Sequence, residues 1–173
     1  MMKIERSFFN RNTVVVAREL LGKYLVRKIG SKIVRAKITE TEAYCGPHDL
    51  ACHASKGMTP RTKVMFGPPG HAYIYLIYGM YHCLNIVTEK EGNPSAVLIR
   101  GLELDGMDGP GKLCRGLKID KTLNGIDICG SRYLWIENGA KVPKNKIKKS
   151  KRIGVDYAGK WKDKLWRFYL DQS

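Results

Sequence analysis

Apolar and polar positions along the first quarter of the chain alternate with two different periods. Val14, Val16, Leu20 and Leu21 form an apolar stripe just after Asn12, a residue type that caps helix N-termini, and Gly22 suits the left-handed position that ends a helix. A helix over Thr13 to Leu21 is predicted. From Lys23 the period falls to two. Lys23 to Ile29 and Lys32 to Glu42 read as strands joined by a tight turn at Gly30-Ser31. Val34, Ala36 and Ile38 share one parity of the second strand, and continuing it puts Glu40, Glu42 and Tyr44 on the same apolar face. A carboxylate on such a face loses hydration, so it needs a partner, a raised pKa or a task. Gly46-Pro47 then breaks the strand. The polar loop that follows, to Lys63, is of a length that compact domains usually reserve for function or leave disordered.

A second hairpin is predicted from His71 to Ile77 and Tyr81 to Thr88, turning near Tyr78-Gly79-Met80. Ser95 to Leu102, Arg132 to Ile136 and Leu165 to Leu170 are further strand candidates, and Lys112 to Lys118 reads as a short helix. No repeat and no linker divides the chain. The expectation is one α+β domain over residues 1–173: a mainly antiparallel curved sheet, surface helices and a protruding β-hairpin.

Composition narrows the classes. No apolar run reaches the ~18 residues of a membrane span, and the charged N-terminus has no apolar signal core, so an intracellular protein with no membrane partner is expected. Five cysteines without a Cys-x-x-Cys pair argue against a zinc ribbon or a disulfide framework. The glycine-rich run Gly106 to Lys112 lacks the Ser or Thr that a Walker motif places after its lysine. The net charge of +15 is uneven: Lys141 to Ser173 holds eleven basic residues against three acidic ones. Such an excess favours a polyanionic partner, most simply nucleic acid.

The aromatic hairpin gives that charge a chemistry. Tyr73 and Tyr75 share a strand face, while Tyr78 and Met80 lie at the turn, where a bulky side chain is hard to bury. A protruding apolar tip on a basic protein can act as a wedge in a base stack, and aromatic rings can hold an extruded base. A buried carboxylate beside that base can deprotonate a water aimed at the sugar, which is hydrolysis of an N-glycosidic bond. Two other readings stay open at this level. One is a non-catalytic module whose tyrosines stack on bases. The other is a metal-dependent nuclease built on Glu40, Glu42, Asp49 and His53.

The motifs Glu40-Thr41-Glu42-Ala43-Tyr44, Cys52-His53-Ala54, Thr59-Pro60-Arg61, Met65-Phe66, Tyr73 to Tyr81, Asn85 and Gly109 to Cys114 occur in one order. In this the chain resembles the alkyladenine (methylpurine) DNA glycosylases, from about Phe8 to Tyr169. The resemblance implies a monofunctional, monomeric enzyme without metal or other cofactor, excising alkylated and some deaminated purines from double-stranded DNA. It implies Glu42 as general base, with Arg100 helping to hold the water and keep the Glu42 pKa down. Tyr44, His53 and Tyr75 would sandwich the flipped base, and Asn85 would crowd the 2-amino group of guanine. Tyr78 would enter the minor groove beside Met80 and Tyr81, and Tyr73, Thr59, Arg61 and the backbone near Val155 would contact DNA. Three positions depart from the family pattern: Cys45, Thr62 and Leu104.

Overall fold

The computed structural model describes residues 1–171. Asn12 caps as its position requires, its Oδ1 accepting from the Val14 and Val15 amides at 3.0 and 3.2 Å. Helix α2 (Thr13–Glu19) follows a single-turn α1 (Arg6–Phe9), and Gly22 ends the segment at φ 86°. Strands β1 (Tyr24–Ile29) and β2 (Lys32–Tyr44) form the expected hairpin, with Ile29 opposite Lys32.

The remaining strands are β3 (Ala72–Ile77), β4 (Tyr81–Val87), β5 (Ala96–Leu102), β6 (Leu134–Glu137), β7 (Ile147–Ser150) and β8 (Arg167–Leu170). Helix α3 (Pro110–Gly116) packs on β4 and β5. The main path runs β3-β4-β5-β2-β1-β6, every pairing antiparallel, with β8 on the other edge of β2 and β7 beside it. The domain is α+β with a curled antiparallel half-barrel, as expected. Strand β7 was not expected, because its Lys-Lys core reads as a charge run rather than an alternating strand.

Strand β2 organises this sheet. Its first half pairs with β1, its second half with β5 and β8. Where the pairing changes, the register Ile38–Leu102, Glu40–Gly101, Thr41–Ile99 leaves one extra residue on each strand, Thr39 on β2 and Arg100 on β5. Bulges of this kind reverse which side chains face which way. Ala36 and Ile38 enter the main core, but beyond the bulge so do Thr41 and Ala43. Thr41 donates its hydroxyl to the Ala17 carbonyl of α2 at 2.7 Å. Glu42 and Tyr44 therefore lie on the face opposite Ile38, not on its face as strict alternation requires. Gly101 sits at the crossing. A Cβ there would come within 3.1 Å of Thr39 Oγ1 and 3.2 Å of the Glu40 Cβ, so the double bulge closes most tightly around a residue without a side chain.

The two faces are filled differently. One carries the core proper, where Leu84, Ile86, Val97 and Ile99 pack beneath α2 and α3. The other carries Tyr73, Tyr75, Asn85, Arg100, Glu42 and Tyr44. It is covered by the loop from Gly46 to Phe66, which contains two short 3₁₀ turns (His53–Lys56 and Lys63–Phe66), and by the chain from Lys151 to Lys164. Both faces are thus shielded from water, which is why Glu42 is buried on the second one.

Candidate active site

Glu42 is fully inaccessible to solvent. Its Oε1 accepts from the Tyr44 hydroxyl at 2.8 Å and lies 3.6 Å from Arg100 Nη1, and its Oε2 accepts from the Ile153 amide at 2.7 Å. A carboxylate offers about four lone-pair sites. Two accept hydrogen bonds here, while Arg100 stands at ion-pair distance, which leaves sites for a further donor such as a water. Burial raises the Glu42 pKa above the ordinary carboxylate value. Arg100, the Ile153 amide, Tyr44 and Arg152 all pull it back without cancelling the burial. The expectation that Arg100 would hold the carboxyl down gives its direction correctly but not the net outcome. A base that titrates late loses function from the acid side. Activity that needs the ionised form should fall as pH drops through a midpoint above 4.5, with no companion loss from His53. A rate–pH profile on one substrate checks this.

Glu40 is a different kind of acid. Its Oε1 accepts from Arg167 Nε at 2.6 Å and Arg100 Nε at 3.1 Å, so it braces Arg100 against β8. Of the two carboxylates, Glu42 is the one hydrogen-bonded to Tyr44 of the slot.

A slot opens beside Tyr44, lined by Tyr44, His53, Met65, Tyr73, Tyr75 and Asn85 among others, with a cavity of about 20 Å³. A cavity needs roughly 10–15 Å³ to hold one water, so this one admits little more. A purine ring fits only if the walls part. His53 and Tyr75 pack edge to face, ring centres 4.4 Å apart, and the His53 Nδ1 and Tyr73 hydroxyl are 3.0 Å apart. Burial, then the charges of Arg61 and Lys56, lower the His53 pKa to about 4, so near pH 7 the imidazole is a neutral ring. Burial first of all raises the Tyr44 and Tyr75 hydroxyls, and Tyr73 to about 12. The slot wall is therefore aromatic and uncharged. Asn85 is fixed at its inner end by donating Nδ2 to the Tyr73 carbonyl at 3.2 Å.

The hairpin tip stands away from all this. Tyr78 is 89% exposed and Met80 68%, with Tyr81 partly covered by Gly111 of α3. Tyr78 and Gly79 have φ of 54° and 64°, the two left-handed residues of a type I′ turn, closed by Met80 N–H to the Ile77 carbonyl at 3.0 Å. A tyrosine in this conformation is strained by about 1–2 kcal/mol, and residues held that way concentrate at functional sites.

Two of the positions expected to contact DNA have buried side chains, and at Val155 the expectation concerned the backbone. Tyr73 is 2% exposed and forms part of the slot wall, because its strand parity is that of Tyr75 and Asn85. The Val155 side chain is buried against Ala51 and Ala158, and the amide of that segment that reaches Glu42 belongs to Ile153. Thr59 and Arg61 are exposed on the covering loop, Arg61 lying 5.3 Å from the Tyr75 ring centre. Of the departures, Thr62 is buried and closes its own turn by donating to the Gly57 carbonyl and accepting from the Thr59 amide.

The four residues of the nuclease reading do not converge. Glu40 is held by two arginines, Asp49 by Arg152 and His53 by Tyr73. Among the described residues no group of three or more His, Cys, Asp or Glu is placed to hold a metal ion, and no helix is long and apolar enough to cross a membrane. The Ile153 amide and Arg152 were not singled out from the sequence, and Asp49 was named only in the nuclease reading. A backbone donor leaves no trace in residue type, and Arg152 was one more cation in a basic run.

The sequence profile described as methylpurine-DNA glycosylase (MPG) matches residues 7–108 and 105–173. The chain belongs to this DNA glycosylase family. A relative from Methanocella arvoryzae is 52% identical over an alignment covering 98% of this chain and 93% of its own. One from Legionella pneumophila strain Lens is 53% identical, covering 100% and 97%. A third, from Myxococcus xanthus, is 48% identical, covering 98% and 91%. All three carry the name "Putative 3-methyladenine DNA glycosylase". Membership in this family makes DNA the substrate and hydrolysis of a base–sugar bond the reaction.

Proposed function

We propose that this protein is a monofunctional glycosylase that flips alkylated purines out of duplex DNA and hydrolyses their N-glycosidic bond, leaving an abasic site. The observation that carries the reading is the buried Glu42 carboxylate, one hydroxyl away from a slot of aromatic rings. Glu42 deprotonates a water. Arg100, braced by Glu40, steadies that carboxylate and helps hold the water. Tyr44, His53 and Tyr75 stack on the base, and Tyr78 fills the space the base leaves.

An alkylated purine such as 3-methyladenine carries positive charge, so its bond to the sugar is already weak. Aromatic faces around a cation contribute about 0.5–2 kcal/mol of attraction, which favours damaged over neutral bases before any bond breaks. Hypoxanthine and other deaminated purines are neutral and need protonation as they leave. The slot offers them no strong acid near neutrality: burial lowers the His53 pKa to about 4, so its imidazole is neutral, and burial makes the tyrosine hydroxyls weaker acids still. Release of cationic lesions is accordingly the main activity, with deaminated purines as slower substrates.

A panel of duplexes, each with one lesion, tests this. Free methylated base and an alkali-labile site should appear, unaffected by chelator and without strand cleavage before alkali. Direct strand cleavage, or binding to undamaged single strands with no base release, would replace the reading by the nuclease or the non-catalytic module respectively.

A further inference from the structure

Arg152 belongs by sequence to the basic C-terminal run, yet its guanidinium is fully buried. It donates to Asp49 through both terminal nitrogens, at 2.6 and 3.0 Å, and to the Ala43 and Trp161 carbonyls at 3.0 and 3.1 Å. Those four bonds use four of its five N–H donors. The fifth, on Nε, has no partner, although every other buried side-chain polar atom among the described residues has one. The guanidinium also lies 4.9 Å from the Tyr44 ring centre and 5.0 Å from that of Trp166. Asp49, equally buried, accepts from the Cys45 and Ala51 amides, and its carbonyl accepts from the Cys52 amide.

We propose that Arg152, clamped by Asp49, is a positioning residue that fixes the spacing of the base slot and the seat of the Glu42 carboxylate. The proposal rests on reading the slot as the base pocket. Three segments meet at this one group. The end of β2 carries Tyr44, the loop after it leads through Asp49 to His53, and the C-terminal segment presents the Ile153 amide, next in sequence to Arg152, to Glu42. The planar fork holds both slot walls and the amide in one frame. Lysine keeps the charge but offers three donors on a single nitrogen, too few and wrongly spread for four acceptors.

Around Glu42 stand Arg100 on β5, Arg167 and Tyr44 on the flanking strand positions, Glu40, Tyr75, Cys83 and Arg152. Arg152 is the cation among them that comes from outside the sheet. Its removal therefore moves the acid limb of the rate profile, whereas its replacement by lysine does not.

The experiment uses the full chain in three forms: wild type, Arg152→Lys, and Asp49→Asn/Arg152→Met, the last leaving no unpaired buried charge. Single-turnover base release is measured across pH at a temperature where melting curves show each form folded, together with affinity for a duplex carrying an abasic-site analogue. Ring resonances of ¹³C-labelled Tyr44 are recorded without DNA. Arg152→Lys should lower the single-turnover rate about 10–100-fold, the scale of a misplacement near 1 Å. Its acid limb should stay in place and its Tyr44 resonances should shift. The double variant should also move the acid limb to higher pH. Wild-type rates per folded molecule with unshifted Tyr44 resonances would overturn the proposal, and Arg152→Lys alone decides it if the double variant does not fold. Wild type that releases no base from any duplex defeats the proposed function instead, and the Tyr44 measurement, which needs no substrate, still reports on Arg152.

Discussion

Glu42→Gln is expected to lower base release by about 10²–10⁴-fold, the usual contribution of a general base, while affinity for lesion-containing duplex is retained. The glutamine keeps the shape and can still accept from the Ile153 amide. The Tyr44 hydroxyl can rotate to accept from its NH₂ group. What disappears is the ability to take a proton from water. Stability should move the other way. Burial raises the Glu42 pKa, so this group's contribution to stability is full below its unfolded value and is lost as pH rises through its higher folded value. Near pH 7 the charge is a burden to the fold. The glutamine form should melt no lower than wild type there, and its relative stability should improve from pH 4 to pH 7. Single-turnover kinetics and melting curves check the two halves separately. Undiminished base release by the glutamine form would remove Glu42 from its role, and Glu40→Gln should cost much less.

The second large effect is expected at the hairpin tip. Tyr78→Ala should weaken binding to lesion duplex, because the ring that fills the space of the flipped base is gone. Base–aromatic stacking contributes about 1–3 kcal/mol, which corresponds to roughly fivefold to 150-fold in affinity. Tyr78→Asn is the more telling variant. Asparagine tolerates the left-handed conformation, and Asn-Gly is the favoured pair for a type I′ turn. The tip should therefore be as firm as before or firmer, and the melting temperature unchanged or higher. A loss of affinity in that form cannot come from a disordered hairpin. Unchanged affinity in both variants would eliminate the wedge.

Several elements were legible because they depend on neighbours in sequence. The Asn12 cap, the Gly22 stop, the Gly30-Ser31 turn and the tip at Tyr78-Gly79 are all local, and each appears within two residues of its expected place. Tyr44, His53, Tyr75 and Asn85 were named from a motif resemblance and do line one slot. Strand β7 was hidden because a sheet edge tolerates lysines that no alternating pattern predicts.

The sequence by itself determined the class of domain, the hairpins and the basic charge, and it singled out Glu42 as the candidate base. It did not determine why Glu42 is buried. Alternation along β2 puts that carboxylate on the face of Ala36 and Ile38, whereas the paired bulges at Thr39 and Arg100 turn it to the opposite face. A bulge is one extra residue in a ladder, and whether it forms depends on two strands about sixty residues apart agreeing on register. The same holds for the pKa of Glu42 and for Arg152. Burial is set by segments that arrive from residues 46–66 and 151–164, so a carboxylate titrates late and a cation from a surface-like run becomes an internal clamp. Those outcomes belong to the tertiary structure, because desolvation and donor geometry exist only once the distant segments have met.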